Sequence, residues 1–225
     1  MSEFYLVRHG QASFGAKNYD KLSNLGHQQS RWLGEYFSAR NIAFSHAFMG
    51  DMVRHRETAQ GIMVGSSHNP IVSIDPGFNE FNFQNIGDSY LSLNPQRKLP
   101  ENPKPADFYR LLKLAMYAWS EDQLHDESLE ETWAGFRERV QAALHNVCQQ
   151  GGDKPILIVS SGGAISMLMS LVLGLDAKQV IELNMQVRNT SISHFYFNKN
   201  TIRLASFNNI PHLDSPDRLD SITFS

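Results

Sequence analysis

The segment Leu6-Val7-Arg8-His9-Gly10-Gln11 sets an arginine and a histidine side by side at the end of a short apolar run. If that run is a strand, its C-terminal edge carries a fixed cation beside an imidazole. Arginine grips phosphate oxygens through a planar fork of N–H donors. A neutral imidazole nitrogen can attack phosphorus and carry the phosphoryl group covalently. Gly10 permits close backbone approach, and Gln11 and Ser13 offer donors to phosphate oxygens. Taken alone, the turn reads as a strand end with a surface histidine.

Three further segments change that balance. Asp51-Met52-Val53-Arg54-His55-Arg56-Glu57-Thr58-Ala59 opens a helix just after a strand. Helix N-termini favour anions, and Arg54 in the first turn adds a second guanidinium. Alone, Arg54 reads as a solvated helix arginine; His55 and Arg56 read as surface residues. Asp75-Pro76-Gly77-Phe78-Asn79-Glu80-Phe81 sets Glu80 among phenylalanines, which disfavour a carboxylate and suit a general acid. Without the other segments Glu80 is a loop glutamate. Val159-Ser160-Ser161-Gly162-Gly163-Ala164 runs from strand through a glycine pair into a helix, where backbone N–H groups can cradle an anion. Gly-x-Gly-x-x-Gly and the Gly-Lys-Ser/Thr loop are both absent, so nucleotide binding of those kinds is not indicated.

These residues need a frame that brings them to one edge. Phe4 to Val7, Phe44 to Met49, Ile71 to Ile74 and Pro155 to Ser160 read as strands, the last apolar on both faces as in a central parallel strand. Helices are expected from Ser23 or Asn24 through Phe37, from Val53 to Val64 with Gly65 as the stop, from Phe136 to Gln149, and from Ala164 to Leu173. Ser191 to Phe197 and Thr201 to Phe207 read as a closing antiparallel hairpin. Residues 81 to 106 break the alternation with Asn, Ser, Gln and prolines at 95, 100, 103 and 105, and a helix from Phe108 to Trp119 follows. The stretch is too long for a bare loop. The expected fold class is α/β: a three-layer α/β/α sandwich with a mainly parallel central sheet, forming a single domain over 1–225 with an inserted cap region at about 81–130. Ligands bind beyond the carboxyl ends of such strands, where Arg8-His9 and Ser160-Ser161 both fall. The last dozen residues are expected to be loosely held.

Composition narrows the class. The 225 residues are 41% hydrophobic and 19% charged, ordinary for a globular domain, and the formal net charge of -3 gives no basis for a nucleic-acid or membrane surface. Cys148 is the one cysteine, which excludes an intramolecular disulfide and fits a reducing compartment. It is read as a packed thiol in a helix. With no signal-peptide pattern and no membrane-length apolar run, a soluble cytoplasmic protein is expected.

Taken in order, the segments resemble the histidine phosphatase superfamily, the phosphoglycerate-mutase-like fold, over nearly the whole chain. Leu-Val-Arg-His-Gly is similar to that family's opening signature, and Leu22-Ser23-Asn24-Leu25-Gly26-His27-Gln28-Gln29 to its first helix start. Asp51-Met52-Val53-Arg54 with Thr58-Ala59 resembles its second phosphate-arginine segment, and Asn79-Glu80-Phe81 its proton-donor segment. Asn189-Thr190-Ser191-Ile192 and Phe207 to Leu213 resemble its closing segments. The resemblance implies a phosphatase acting on a phosphomonoester. His9 would be the nucleophile, and Arg8 and Arg54 would clamp the phosphoryl oxygens. Glu80 would be the acid and then the base, with Gln11, Ser13, Ser161 and Gly162 binding phosphate. It implies no metal or organic cofactor, and a small phosphorylated substrate or phosphate ion as the partner.

One departure stands out. The family pattern Val-Ser-His-Gly-Gly has a histidine where this chain has Ser161. A lost donor to developing charge costs about 3–4 kcal/mol in oxyanion sites. Slow turnover is expected, with a catalytically weak or inactive phospho-ligand-binding protein as the alternative. The sequence leaves open whether His55 or His194 reaches the pocket. A phosphoglycerate mutase is disfavoured because no positive charge follows Glu80 until Arg97. The cations Arg97, Lys98, Lys104, Arg110 and Lys113 form no dense cluster, so polyphosphorylated substrates are not favoured.

Overall fold

The structure is a computed structural model that describes residues 1–13, 20–125 and 127–224. Its centre is a six-stranded sheet ordered β3-β2-β4-β1-β5-β6. The strands are β1 (Ser2–Arg8), β2 (His46–Met49), β3 (Ile71–Ile74), β4 (Ile156–Ser160), β5 (Ile192–Phe197) and β6 (Ile202–Asn209). The first four in sequence run parallel, and β5 and β6 join antiparallel. β4 lies between β1 and β2 with every residue buried, as its unbroken apolar run requires.

Alternate residues along the central strands point to two separate cores. One face puts Val7, Ala47, Met49, Leu157 and Val159 against Leu33 and Phe37 of α1 (Asn24–Ala39) and Ala59 and Ile62 of α2 (Val53–Ser66). The other puts Phe4, Leu6, Phe48, Ile156 and Ile158 against α5 (Trp133–Cys148) and α6 (Gly162–Leu173). This is the expected three-layer α/β arrangement.

α1 begins as expected, with the Ser23 hydroxyl accepting from Gly26 N at 3.0 Å. α2 does not stop at Gly65. It continues to Ser66, and Ser67 closes it in the left-handed region at φ 53°. Gly65 is there for packing: a Cβ at this position would run into the Arg31 carbonyl of α1. The residues after Glu80 also fold further than their composition indicates. Asn82 caps α3 (Phe83–Leu93), accepting from Asn85 N at 3.1 Å, and α4 (Pro105–Ser120) follows. Ile86, Tyr90, Met116 and Trp119 from these helices join the same core as α5 and α6. A further helix, α7 (Ala177–Asn184), opens on a reciprocal Asp176–Gln179 capping box.

The end of the chain is not loose. Asn189 N donates to Thr223 O at 2.9 Å, and the Gln29 side chain donates to Ser221 O at 2.7 Å and Thr223 Oγ1 at 3.0 Å. Cys148 is half-buried, and burial pushes its thiol up to about 11, in keeping with an inert packed group. No helix among the described residues is long and apolar enough to cross a membrane.

Candidate active site

The parallel pairing of β1 with β4 ends at Arg8 opposite Ser160. One residue further on, His9 and Ser161 leave the sheet side by side, and His9 N still donates to Ser160 O at 2.9 Å. His9 is buried, and its Nδ1 lies 2.7 Å from Gly10 O. A carbonyl only accepts, so Nδ1 carries the proton and Nε2 holds the lone pair. Burial, followed by the charges of Arg54 and Arg8 and the neighbouring His55, holds His9 well below the ordinary histidine range. The ring is therefore a neutral imidazole with its lone pair on Nε2.

Its backbone is fixed from both sides. Gly10 N donates to Thr58 Oγ1 of α2 at 3.0 Å, and Asn189 Nδ2 donates to His9 O at 3.0 Å. Thr190, in the left-handed region at φ 55°, donates its N–H to Arg8 O at 3.0 Å. The Thr190 hydroxyl accepts from buried His212 at 2.9 Å and donates to Asn189 O at 2.7 Å.

The two arginines come from different elements. Arg54, buried in the first turn of α2, pairs with Asp20 at 2.8 Å, and the other Asp20 oxygen accepts from Val53 N at 2.9 Å. Asp20 thus occupies the helix N-terminus where an anion is favoured. Arg8 donates to Val187 O and to Phe224 O, the latter at 2.8 Å, so the chain end rests on its guanidinium. A Cβ on Gly162 would lie 3.7 Å from Arg8 Cζ, which places Gly162 directly beside that charge.

Glu80 reaches the same edge from the 76–80 loop. Its Oε2 accepts from Gly163 N in the first turn of α6 at 3.1 Å. Three ties hold the loop. Asn79 and Asp51 exchange hydrogen bonds at 2.6 and 2.9 Å, and Ser160 Oγ donates to Phe78 O at 2.7 Å. Arg139 of α5 donates to Asn79 O at 2.8 Å and Gly77 O at 3.1 Å while paired with Glu131 at 2.6 Å. Nothing in the spacing of the sequence singled out Arg139.

Gln11 and Ser13 sit further out. The Ser13 hydroxyl donates to Leu22 O at 2.9 Å, and Gln11 Oε1 accepts from Ser23 Oγ at 2.7 Å, so both pin the start of α1. The expectation for His55 is corrected. It is fully buried, its Nε2 lies 2.7 Å from Ser161 Oγ, and its ring centroid is 5.8 Å from that of His9. Arg56, its neighbour, is exposed. Their positions on α2 separate them: residues 54, 55, 58 and 59 turn inward, and 56 turns outward. His194 lies midway along β5, bonded to Glu3 at 2.7 Å and stacked on Tyr5. Among the described residues no group of three or more His, Cys, Asp or Glu is placed to hold a metal ion.

A family model for the histidine phosphatase superfamily (branch 1) matches residues 4–210. The chain belongs to that superfamily. A relative, the probable phosphoglycerate mutase GpmB of Enterobacter sp. (strain 638), is 26% identical over 96% of this chain and 97% of its own length. Among solved structures, the phosphoserine phosphatase of Entamoeba histolytica in complex with phosphoserine matches with a TM-score of 0.66. The match has 20% identity and covers 95% of this chain and 100% of that one. A putative alpha-ribazole-5'-P phosphatase from Escherichia coli matches with a TM-score of 0.67 and 20% identity, over 93% and 98% of the two chains. At these identities the solved structures show the shared fold.

Proposed function

We propose that this protein is a phosphomonoesterase that works through a phosphohistidine at His9. The observation that carries this is the His9 ring: neutral, proton on Nδ1, lone pair on Nε2, flanked by Arg8 and Arg54. Nε2 attacks phosphorus as the ester P–O bond breaks, and Glu80, acting as the general acid, delivers a proton to the leaving oxygen. The guanidinium groups of Arg8 and Arg54, with donors from Ser161 and Gly162, offset charge on the equatorial oxygens. Gln11 and Ser13, which also pin the start of α1, add donors to the phosphate oxygens. Water then attacks phosphorus, Glu80 takes its proton, the N–P bond breaks, and phosphate leaves with the imidazole neutral again. The substrate is a small phosphorylated molecule, met in the cytoplasm, with residues 81–130 forming the cap over the pocket. Ser161 stands where the family pattern has a histidine, so one charge is missing and turnover is slow.

The names of the curated relatives bring a second reading, transfer between positions of phosphoglycerate. Against it, Phe81-Asn82-Phe83-Gln84-Asn85 supplies no cation to hold a bisphosphate. A third is binding of a phospho-ligand without turnover. The test is p-nitrophenyl phosphate hydrolysis by wild type and His9→Ala, with 3-phosphoglycerate isomerisation assayed in parallel. Hydrolysis lost in His9→Ala is expected. Isomerisation would establish the mutase instead, and phosphate binding without turnover would establish the sensor.

A further inference from the structure

The family frame leaves one buried histidine without a task. His55 sits inside α2 with its Nε2 at Ser161 Oγ and its ring 5.8 Å from the His9 ring. Three observations show that the place is built for it. Gly50 follows the last residue of β2 and lies against the ring, and a Cβ there would run into His55 Nδ1. Ser161 occupies the N-cap position of α6, where serine ordinarily accepts from a backbone N–H, yet it makes no such bond. The Glu80 carboxylate takes Gly163 N instead, which leaves the Ser161 hydroxyl turned to His55.

The tautomer follows from the same contacts. His55 Nδ1 is buried and has no hydrogen-bond partner. A proton on Nδ1 would bury an unanswered N–H, which folded proteins avoid more strictly than an under-used acceptor. The proton therefore belongs on Nε2, where it is donated to Ser161 Oγ. That hydroxyl, with its oxygen already accepting, keeps its own proton free to donate elsewhere. Ser161 leaves the sheet beside His9, so the free donor stands at the edge where a phosphoryl group on His9 would sit.

We infer that His55 is a positioning residue for Ser161: it aims the Ser161 O–H at the phosphoryl oxygens and, through the N–H···O–H chain, strengthens that donor as charge develops. In this chain the imidazole that the family pattern puts on the β4–α6 turn acts from α2, one hydroxyl removed. The inference rests on His9 being the nucleophile, and its test separates the two.

The experiment combines kinetics, vanadate binding and imidazole NMR. If the two residues act as a unit, Ser161→Ala and His55→Phe each lower kcat by on the order of 10²-fold with KM little changed, and the double variant is no worse than either. His55→Gln, whose amide nitrogen reaches about where Nε2 stood, recovers part of the loss. In wild type the His55 nitrogens report the Nε2–H tautomer, and vanadate, a mimic of five-coordinate phosphorus, shifts them. In Ser161→Ala it does not. Losses that multiply in the double variant, or an Nδ1–H tautomer in wild type, would overturn the inference while leaving phospho-His9 intact. If wild type shows no His9-dependent turnover, the proposed function fails and vanadate affinity decides the rest. Weakening by the same factor in both single variants and the double sustains the pair; unchanged affinity rejects it.

Discussion

The two helical faces of the sheet hold their halves of the candidate site by different means. On the α1–α2 face the backbones nearly touch at Gly65, and buried polar groups form the interior: Gln29, Ser30, Arg54, His55 and Thr58. Each makes at least one short side-chain bond, such as Thr58 with Gly10 N and with Arg54 O. On the α3–α5 face the interior is aromatic. Trp119 packs at 5.2 Å from Phe81, 5.6 Å from Phe136 and 5.0 Å from Trp133. The first face fixes charges and protons, where an error of one hydrogen bond matters. The second packs large apolar surfaces against Phe81, next to Glu80, and so adds shape to a loop that polar ties from Asp51, Ser160 and Arg139 also hold. The His9–Arg54 side and the Glu80 side of the candidate site thus rest on different packing, joined by the Asn79–Asp51 pair.

The largest expected effect lies on the aromatic side. Trp119→Ala removes the hub of that cluster and costs about 3–5 kcal/mol of stability, read from denaturant unfolding. Because Phe81 adjoins Glu80, turnover of an alkyl phosphate falls more than that of p-nitrophenyl phosphate, whose leaving group needs no proton. Equal losses on both substrates would join the two halves that the packing separates. Next comes Arg54→Ala, which removes a charge from the phosphoryl half. Both substrates then lose on the order of 10²–10³ in kcat, about 3–4 kcal/mol, with their ratio unchanged. Arg54→Lys recovers little, since a point charge cannot reproduce the fork. Gly65→Ala pushes a methyl into the Arg31 carbonyl and costs about 1–3 kcal/mol of stability. Its activity loss follows the Arg54 pattern, with both substrates affected alike.

The same contrast explains what the sequence revealed. The sheet and its helices were legible because their apolar periods are regular; Arg8, His9, Arg54 and Glu80 were singled out by the ordered resemblance of their segments to the family pattern, since Arg54 and Glu80 taken alone read as a solvated helix arginine and a loop glutamate. His55 was not, since a histidine among Arg54, Arg56 and Glu57 looks solvated until the 3.6-residue period is followed inward. α3 was hidden by its Asn and Ser content; its signal was the Asn82 cap. α7 was overlooked although Asp176 and Gln179 stand at capping-box spacing. The chain end looked loose because its ties are long-range, to Gln29, Arg8 and Asn189, and no local pattern encodes them.

The smallest expected effect concerns protons held out of the polar half. His212 is pushed down to about 3, mainly by burial and then by Arg218, and His9 and His55 are also held well below the ordinary range. In the unfolded chain each returns to about 6.5. Below that pH the unfolded state binds protons the native state refuses, so the stability contributed by the neutral rings is fully present above about pH 6.5. It is lost as pH falls toward the folded values, at about 1.4 kcal/mol per pH unit for each histidine. His212→Gln keeps a donor for the Thr190 hydroxyl and removes one titration. Measured by urea unfolding between about pH 6 and 4.5, its stability should fall less steeply than that of wild type by one histidine's share. Carboxylates titrating in the same range cancel between the two proteins. Identical slopes would mean that His212 accepts its proton in the folded state, and that the Thr190–His212 bond behind His9 is made by an imidazolium.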